Sequence, residues 1–270
     1  MNKIKVVDDN LEKVNISDNI KIEYYQKECL FGINEIKLTI EKSSDLDIEI
    51  NLKSETRLNF NINVLKDVNL NLNIITKGNS GKVKYTYNIF KNSTVNVFKF
   101  QNIKSIKEMV SIKLKEENAR IDYNFKTIGN NKETYDYNIL HESNNTISNI
   151  KNNGVCIEDG IIIYQVSSFV PKDIIGCIVN QNNRIINLTD NKCEIMPNLY
   201  IDSSDVSASH SALIGKFSDE EMFYIESRGI DYDSAIKLLI NGFLTSDISD
   251  KKILNEINKN IDKYWRWFHE

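Results

Sequence analysis

The stretch Leu46–Ile74, LDIEINLKSETRLNFNINVLKDVNLNLNI, alternates apolar and polar residues in three consecutive segments. In the first segment Leu46, Ile48 and Ile50 occupy every second position, and the other two segments repeat the arrangement. Strict alternation of this kind is typical of a β-strand that buries one face. The stretch therefore predicts three successive half-buried strands.

The same alternation continues outward from this stretch to about Val206, through segments such as VKYTYNI, VNVFKF, VSIKL and IDYNFKTI. Regular short strands of this kind indicate an all-β sandwich, barrel or solenoid. The turns are rich in Asn, in a chain that has only 10 Gly and 2 Pro. Asn tolerates the left-handed backbone and can replace Gly in turns. Without a fixed repeat length, periodicity alone does not separate a solenoid from a meander.

After Val206 the period changes to that of helices. Ser218 followed by Glu221 predicts a capping box at the start of a first helix, with Gly229 as its stop. Asp231 is a suitable N-cap for a second helix.

We expect this second helix to stop at Gly242. A third helix is predicted from about residue 249 to 268, with apolar residues at three- and four-residue spacing. The chain therefore divides into a β-rich body and a small helical tail.

Composition narrows the class of protein. The 270 residues carry a net charge of -4, which does not favour binding to a nucleic acid backbone. No segment approaches the roughly 20 consecutive apolar residues of a membrane helix, and the first residues lack the apolar core of a signal peptide. We therefore expect a cytoplasmic protein without a membrane segment.

The four cysteines, Cys29, Cys156, Cys177 and Cys193, are far apart and form no CxxC pair. This spacing argues against a disulfide framework and against a self-contained zinc site. The stretch GNSGKV at 78–83 lacks the spacing of a phosphate-binding P-loop. Any ATP hydrolysis is therefore expected from a partner.

The joint between strand and helices carries a resemblance. The segments DVSASHSALIG, DEEMFYIESRGI and AIKLLINGF, between Asp205 and Phe243, resemble the C-terminal signature of the SufB/SufD family of the SUF iron–sulfur cluster assembly system. The upstream stretch NNRIINLTDNKCEIMPNLYI resembles the last β-coils of that family. The strong match runs from Asn182 to Phe243, and the rest of the chain agrees in pattern only.

The resemblance implies a fold and partners. The expected fold is a right-handed parallel β-helix over residues 1–215, with the first forty residues unassigned, and a C-terminal helical domain over 216–270. Family members dimerise through their β-helices, as homodimers or SufB/SufD heterodimers, and their helical domain docks the ABC-type ATPase SufC. The chain would then be a non-enzymatic scaffold for a transient iron–sulfur cluster. The expected ATPase-docking residues are Phe223, Tyr224, Arg228, Leu238, Leu239 and Phe243.

Two positions depart from the SufB pattern. Ser211 follows the signature histidine where SufB-like chains carry Glu and SufD-like chains Gly, and Asn182 aligns near a SufB-type cysteine. The chain is therefore closer to SufD or to compact archaeal and anaerobic SufBD proteins. The alternative function is a SufD-like interaction subunit without its own cluster site. A carbohydrate-active β-solenoid is a further alternative, but no acidic pair recurs at coil spacing.

His210 and Cys193 are the residues that the resemblance points to as tentative cluster ligands. Cys193 is expected about one coil before His210, so that stacking could bring the two together. The alternatives are an interface role for His210 and inert core packing for Cys193. Cys156 and Cys177 are expected in the core, and His141 and His269 at the surface.

Overall fold

Fifteen strands followed by three helices make up the described part of this computed structural model, which covers residues 2–8, 10–26, 34–53, 55–248 and 250–267. The strands are β1 (Asn2–Val7), β2 (Asn10–Val14), β3 (Ile20–Tyr25), β4 (Asn34–Ile40), β5 (Ser44–Leu52), β6 (Thr56–Val64), β7 (Asn69–Ile89), β8 (Thr94–Leu114), β9 (Arg120–Gly129), β10 (Lys132–His141), β11 (Ile147–Cys156), β12 (Ile161–Val170), β13 (Cys177–Asn187), β14 (Glu194–Ile201) and β15 (Val206–Gly215). The helices are α1 (Asp219–Glu226), α2 (Tyr232–Thr245) and α3 (Lys251–Trp267).

The strands pair in parallel into a β-solenoid. One row runs β5, β7, β8, β9, β11, β13, β15, and the other runs β4, β6, β7, β8, β10, β12, β14. Strands β7 and β8 have 21 residues each and take part in both rows. Antiparallel pairing occurs near the N-terminus, between β1 and β2 and between β3 and β4. The predicted parallel solenoid is confirmed, and a meander is excluded.

The coils are unequal in length, which explains why the sequence shows no fixed repeat. Side-chain hydrogen bonds between equivalent positions of neighbouring coils span 25, 26, 27, 31 and 29 residues at successive points along the chain. The alternation survives these changes because it depends on the strand pleat and not on the coil length.

A column of left-handed residues turns the chain at one corner of the solenoid. The φ angles of this column lie between 55° and 60° at Asp67, Asn92, Asn118 and Asn145, and Gly176 follows them with a φ of 69°. Each donates its backbone N–H to a carbonyl of the next coil, as Asn92 does to Glu117. The predicted use of Asn in turns is confirmed, because Asn adopts this conformation more readily than other side chains.

Asn ladders tie the outer face of the coils together. Asn149 donates to Asp122 at 2.6 Å, Asn180 donates to Asn149 at 2.8 Å, and Ser209 donates to Asn180 at 2.7 Å. Each ladder side chain thus satisfies its neighbour across the coil spacing of about 4.8 Å.

The described part of the first forty residues, which the sequence left unassigned, extends the solenoid. Strand β1 pairs in parallel with β5, and β4 pairs in parallel with β6. The buried face of β1 is formed by residues such as Ile4 and Val6. The N-terminal segment therefore belongs to the same core.

The interior is apolar and aromatic at its centre but holds one ion pair. Six tyrosines are fully buried, and Lys99 pairs with Glu108 with both side chains fully buried. Burial lowers the pKa of Lys99, and Glu108 opposes that effect. A buried pair of this kind is costly to break, because one charge would remain without a partner.

The first two helices begin where predicted. Ser218 and Glu221 form the complete capping box of α1, and Asp231 accepts from the N–H of Ser234 at the start of α2. The predicted stop of α2 at Gly242 is wrong, since the helix continues to Thr245. Leu244 is fully buried, so tertiary packing extends the helix past the glycine.

The helices pack on the flank of the solenoid and do not cover its open end. Helix α3 packs against β8, and the core shared by helices and strands includes Phe100, Val155 and Ile257. Polar contacts cross the same seam, for example between Lys77 and Glu256 at 2.6 Å. None of the helices among the described residues is long and apolar enough to cross a membrane.

Candidate functional site

Strand β15 is the last strand of its row and leaves one edge free of strand pairing in the described part of the chain. It pairs with β13, in a register that sets Val206 opposite Cys177 and Ile214 opposite Ile185. Most of its residues are exposed, although its alternation matches that of the buried strands. The strand therefore continues the register of the solenoid, but most of its residues lie at the surface.

His210 lies on the face of β15 that continues the solenoid interior. Its register partner is Gln181, and the same column continues through Ile150 to Tyr123. The three preceding residues of the column are buried, but His210 is exposed because no further coil covers it. Its imidazole is thus available at the open end of the solenoid.

The buried residue directly beneath His210 is polar. Gln181 is buried and donates from Nε2 to Ser168 Oγ at 2.8 Å and to the Asn198 carbonyl at 3.1 Å. Its Oε1 atom is buried without a hydrogen-bond partner. Inner coils also hold buried acceptors without a partner, such as Asn152 Oδ1, so this atom does not by itself distinguish the end of the solenoid.

Cys193 lies immediately before β14 and is 7% exposed. Its Sγ is 3.0 Å from Cys156 Sγ, and the backbone N–H of Ile162 points to it at 3.5 Å. The hydrogen bond from the Cys156 thiol lowers the pKa of Cys193 to about 7. The same hydrogen bond raises the pKa of Cys156.

The structure does not bring Cys193 and His210 together. His210 belongs to the column of Ile150, whereas Cys156, the contact of Cys193, lies at the far end of β11. At about 3.3 Å per residue the two columns are roughly 20 Å apart. The prediction that Cys193 lies one coil before His210 is wrong, because coils need 25 to 31 residues. The two residues therefore would not bind the same ion.

Among the residues that the structure describes, no group of three or more His, Cys, Asp or Glu side chains could hold a metal ion. An iron–sulfur cluster handled here would be cargo. The described chain contributes His210 as a single exposed imidazole at this end. Further ligands would have to come from another chain or from the cargo itself.

Two other sequence predictions have definite outcomes. Cys177 is buried, as expected for a core residue, with its Sγ 3.2 Å from Thr146 Oγ1. His141 was expected at the surface, but it is fully buried, because its ring nitrogens bond Thr146 at 2.7 Å and Ser148 at 2.9 Å. Burial lowers the pKa of His141 to about 4. Cys29 and His269 lie outside the described residues.

The tip of the helical tail exposes large apolar side chains. Phe223 is 73% exposed, and Tyr224 and Leu238 are exposed by more than half. Arg228 lies over the Tyr224 ring at 3.6 Å and donates to the Tyr224 carbonyl at 2.8 Å. Exposed apolar residues grouped with a stacked Arg are typical of protein interfaces.

Leu239 and Phe243 are half-buried and turn partly toward the solenoid. Leu239 packs on the small core of α1 and α2, and Arg184 lies 5.2 Å from the Phe243 ring centre. Both residues line a cavity of about 410 Å³ between the helices and the strands, with Lys151 at its wall. The six predicted docking residues therefore divide into an exposed tip and a half-buried base.

Most of the chain matches the model of a known protein family. A family model described as "SUF system FeS cluster assembly, SufBD core domain" matches residues 33–243. This range contains most of the solenoid, the whole of helix α1 and most of helix α2. It extends well upstream of the segments that carried the resemblance.

Curated relatives agree over shorter ranges. An iron–sulfur cluster assembly SufBD family protein of Mycobacterium leprae is 41% identical over 69 residues, which are 25% of this chain and 18% of that protein. SufD of Bacillus subtilis is 26% identical over 126 residues, 46% of this chain and 29% of SufD. SufD of Escherichia coli is 31% identical over 83 residues, 30% of this chain and 20% of SufD. The chain thus spans less than a third of the length of each of these relatives.

Proposed function

The chain belongs to the SufB/SufD family, and we propose that it is a non-enzymatic scaffold component of a SUF-type iron–sulfur cluster assembly complex that works with a SufC-type ABC ATPase. The observation that carries the proposal is the family match over residues 33–243, which includes the whole surface around His210. The similarity to proteins named SufBD family protein and SufD supports the same role.

The open end of the solenoid supports dimerisation. In the described part of the chain the outer edges of β14 and β15 have no strand partner, and such edges pair readily with another strand. A two-fold contact here would use the same patch on both chains. The mate is a second copy of this chain or a SufB/SufD-like partner.

In such a dimer His210 acts as a ligand of the nascent cluster. Its exposed position on the last strand would bring it to the interface, where the second chain supplies further ligands. Neutral imidazole binds iron through one nitrogen, as histidine does in some iron–sulfur centres. Cys193 would not join His210 on the same cluster, because it lies about 20 Å away along the strands and is buried against Cys156.

The alternative is a SufD-like interaction subunit that holds no cluster. The absence of a three-residue ligand group in the described residues favours it, and so does Ser211 next to His210. In that case His210 would make only interface hydrogen bonds. The two readings share the fold, the dimer and the ATPase contact.

The helical tip is the proposed ATPase-docking surface. Phe223, Tyr224 and Leu238 provide the exposed apolar contact, with Arg228 held over Tyr224. Leu239 and Phe243 support this tip from below, through their packing on the cavity wall. Large exposed aromatic residues of this kind carry much of the binding energy in protein interfaces.

Binding of the full chain to the cognate SufC-type ATPase tests this surface. We expect Phe223→Ala with Tyr224→Ala to weaken binding by at least about tenfold, as for interface residues that cost more than about 1.4 kcal/mol. Met109→Ala is the matched control, because Met109 is an exposed apolar residue on the solenoid, remote from the helices. Unchanged affinity of the double variant, measured by titration calorimetry, would place the ATPase contact elsewhere.

A further inference from the structure

Two cysteines far apart in sequence meet at one edge of the solenoid core. Cys156 is the last residue of β11, and Cys193 lies 37 positions further along the chain, after β12 and β13. Their sulfur atoms lie 3.0 Å apart as free thiols, and both side chains are buried. Side chains packed this closely need little rearrangement to bond.

We propose that Cys156 and Cys193 form a redox-active dithiol that a peroxide converts into an intramolecular disulfide. The pair stands on geometry that the cluster-assembly proposal does not use, since His210 lies about 20 Å away along the strands. The inference therefore holds or fails independently of the proposed function.

The two thiols have different roles in this step. The two thiols share one hydrogen bond in which either sulfur can be the donor, and the N–H of Ile162 also points to the Cys193 sulfur. Cys193 is the more exposed of the two side chains, at 7% against 0% for Cys156, and the contact with Cys156 lowers the pKa of Cys193. Cys193 is thus the nucleophile, and Cys156 is the resolving thiol.

The neighbouring carboxyl does not prevent this ionisation. Glu133 is fully buried, and burial raises its pKa to about 8. At pH 7 Glu133 is therefore mostly protonated and adds little negative charge beside the thiolate. Glu133 accepts hydrogen bonds from Thr127 and Tyr135, which hold it in place.

The chemistry balances with hydrogen peroxide as the oxidant. The Cys193 thiolate attacks one peroxide oxygen, the O–O bond breaks, and the departing oxygen leaves as water after taking up a proton. The resulting sulfenic acid is attacked by Cys156 sulfur, which loses its proton while the sulfenic oxygen leaves as a second water. Two thiols and one peroxide thus give one disulfide and two waters.

The disulfide would tie the last coil to the one before it. It would join the end of β11 to the residue that precedes β14, across a loop of 37 residues. Closing a loop of this length restricts the unfolded chain and stabilises the fold. Oxidation would therefore stiffen the coil that carries the open edge.

The test treats the anaerobically purified, reduced full chain with a small excess of hydrogen peroxide. Free thiols are then alkylated in denaturant, and the chain is digested and mapped by mass spectrometry. We expect a peptide pair linked through Cys156 and Cys193, a mass lower by two hydrogen atoms, and recovery of both thiols with dithiothreitol. The thermal midpoint should rise by roughly 5–10 °C on oxidation.

Cys193→Ser and Cys156→Ser should each abolish the linked pair, whereas the matched control Cys177→Ser should retain it. Cys177 is equally buried, but its sulfur contacts Thr146 and no cysteine among the described residues. The map of the wild-type chain decides the matter even if a variant folds poorly. Peroxide treatment that leaves both thiols alkylatable, links either to another cysteine, or yields only irreversible sulfinic acid would overturn the proposal.

Discussion

The inner coils and the last coil share one sequence pattern but meet different surroundings. Strand β13 is covered by neighbours on both sides, and its inward residues Val179, Gln181 and Ile185 are buried. Strand β15 repeats the alternation in register with β13, yet nearly all its residues are exposed. The alternation defines which face a residue lies on, whereas the next coil decides whether that face is buried.

This difference separates residues that hold the fold from those that are available for binding. On the outer face of the inner coils, side chains bond one another across coils, as Asn180 does with Asn149. At the end, His210 is exposed, and the outer edge of β15 has no strand partner among the described residues. A surface of this kind is suited to a second chain, because pairing would complete the backbone edge.

The largest expected difference is in stability, when an isoleucine is shortened to alanine in the inner strand β13 or in the last strand β15. Ile185 is fully buried and Ile214, its register partner, is 40% exposed. We expect Ile185→Ala to lower the free energy of unfolding by about 2–5 kcal/mol, through lost burial and a cavity. Ile214→Ala should cost below about 1 kcal/mol in the monomer, because less of its surface is buried.

Urea denaturation of the two variants at low protein concentration measures both values. A dimer through β15 would make the Ile214→Ala value rise with protein concentration, since the interface adds burial. Equal losses for both variants in the monomer would contradict the view that the last coil is open.

The pH dependence of stability should come from the interior. The pKa of buried Glu133 is raised to about 8, so the folded chain keeps a proton that the unfolded chain releases above its ordinary value of 4.5. The contribution of this group is therefore fully present below about pH 4.5 and is lost as pH rises through 8. Glu133→Gln should remove a downward slope of up to about 1.4 kcal/mol per pH unit between these values.

Glu194→Gln is the matched control in β14, where the carboxylate is 40% exposed and pairs with Lys192 at 3.1 Å. Its stability curve should follow that of the unchanged chain. Unfolding experiments from pH 5 to pH 8 give the slopes, and identical curves for Glu133→Gln and the unchanged chain would refute the assignment.

A smaller effect is expected along the Asn ladder. Asn149 bonds both Asp122 and Asn180, whereas Ser209 bonds only Asn180 at the end of the column. We expect Asn149→Ala to cost about 1–2 kcal/mol and Ser209→Ala about 0.5 kcal/mol. Thermal unfolding of the two variants compares the stability that each one loses. A larger loss for Ser209→Ala would contradict the view that a residue with more ladder hydrogen bonds contributes more stability.

Much of the fold could be predicted from local pattern. The alternation in Leu46–Ile74 gave the strands, and the Asn-rich turns matched the left-handed column that includes Asn92 and Asn118. The alternation of apolar and polar residues did not predict the parallel pairing, because it indicates which face of a strand is buried and not which strand lies next to it. Coil lengths that vary from 25 to 31 residues hid the repeat.

The site was less predictable, because it depends on contacts between distant residues. Nothing in the sequence relates Cys156 to Cys193, and only the fold brings their sulfur atoms to 3.0 Å. His141 reads as a surface residue until Thr146 and Ser148 are seen to satisfy both ring nitrogens. Helix periodicity likewise did not reveal that Phe243 would turn toward Arg184.

Anaerobic reconstitution with iron and sulfide tests the central claim most directly. The visible absorbance of bound cluster is compared among the unchanged chain, His210→Ala and Ser207→Ala, where Ser207 is an exposed residue on the opposite face of β15. We predict a cluster band in the unchanged chain and in Ser207→Ala, and loss of most of it in His210→Ala without a change in thermal midpoint. A band that survives in His210→Ala, or none in any chain, would contradict the account, and the second result would leave the chain as an interaction subunit without its own cluster.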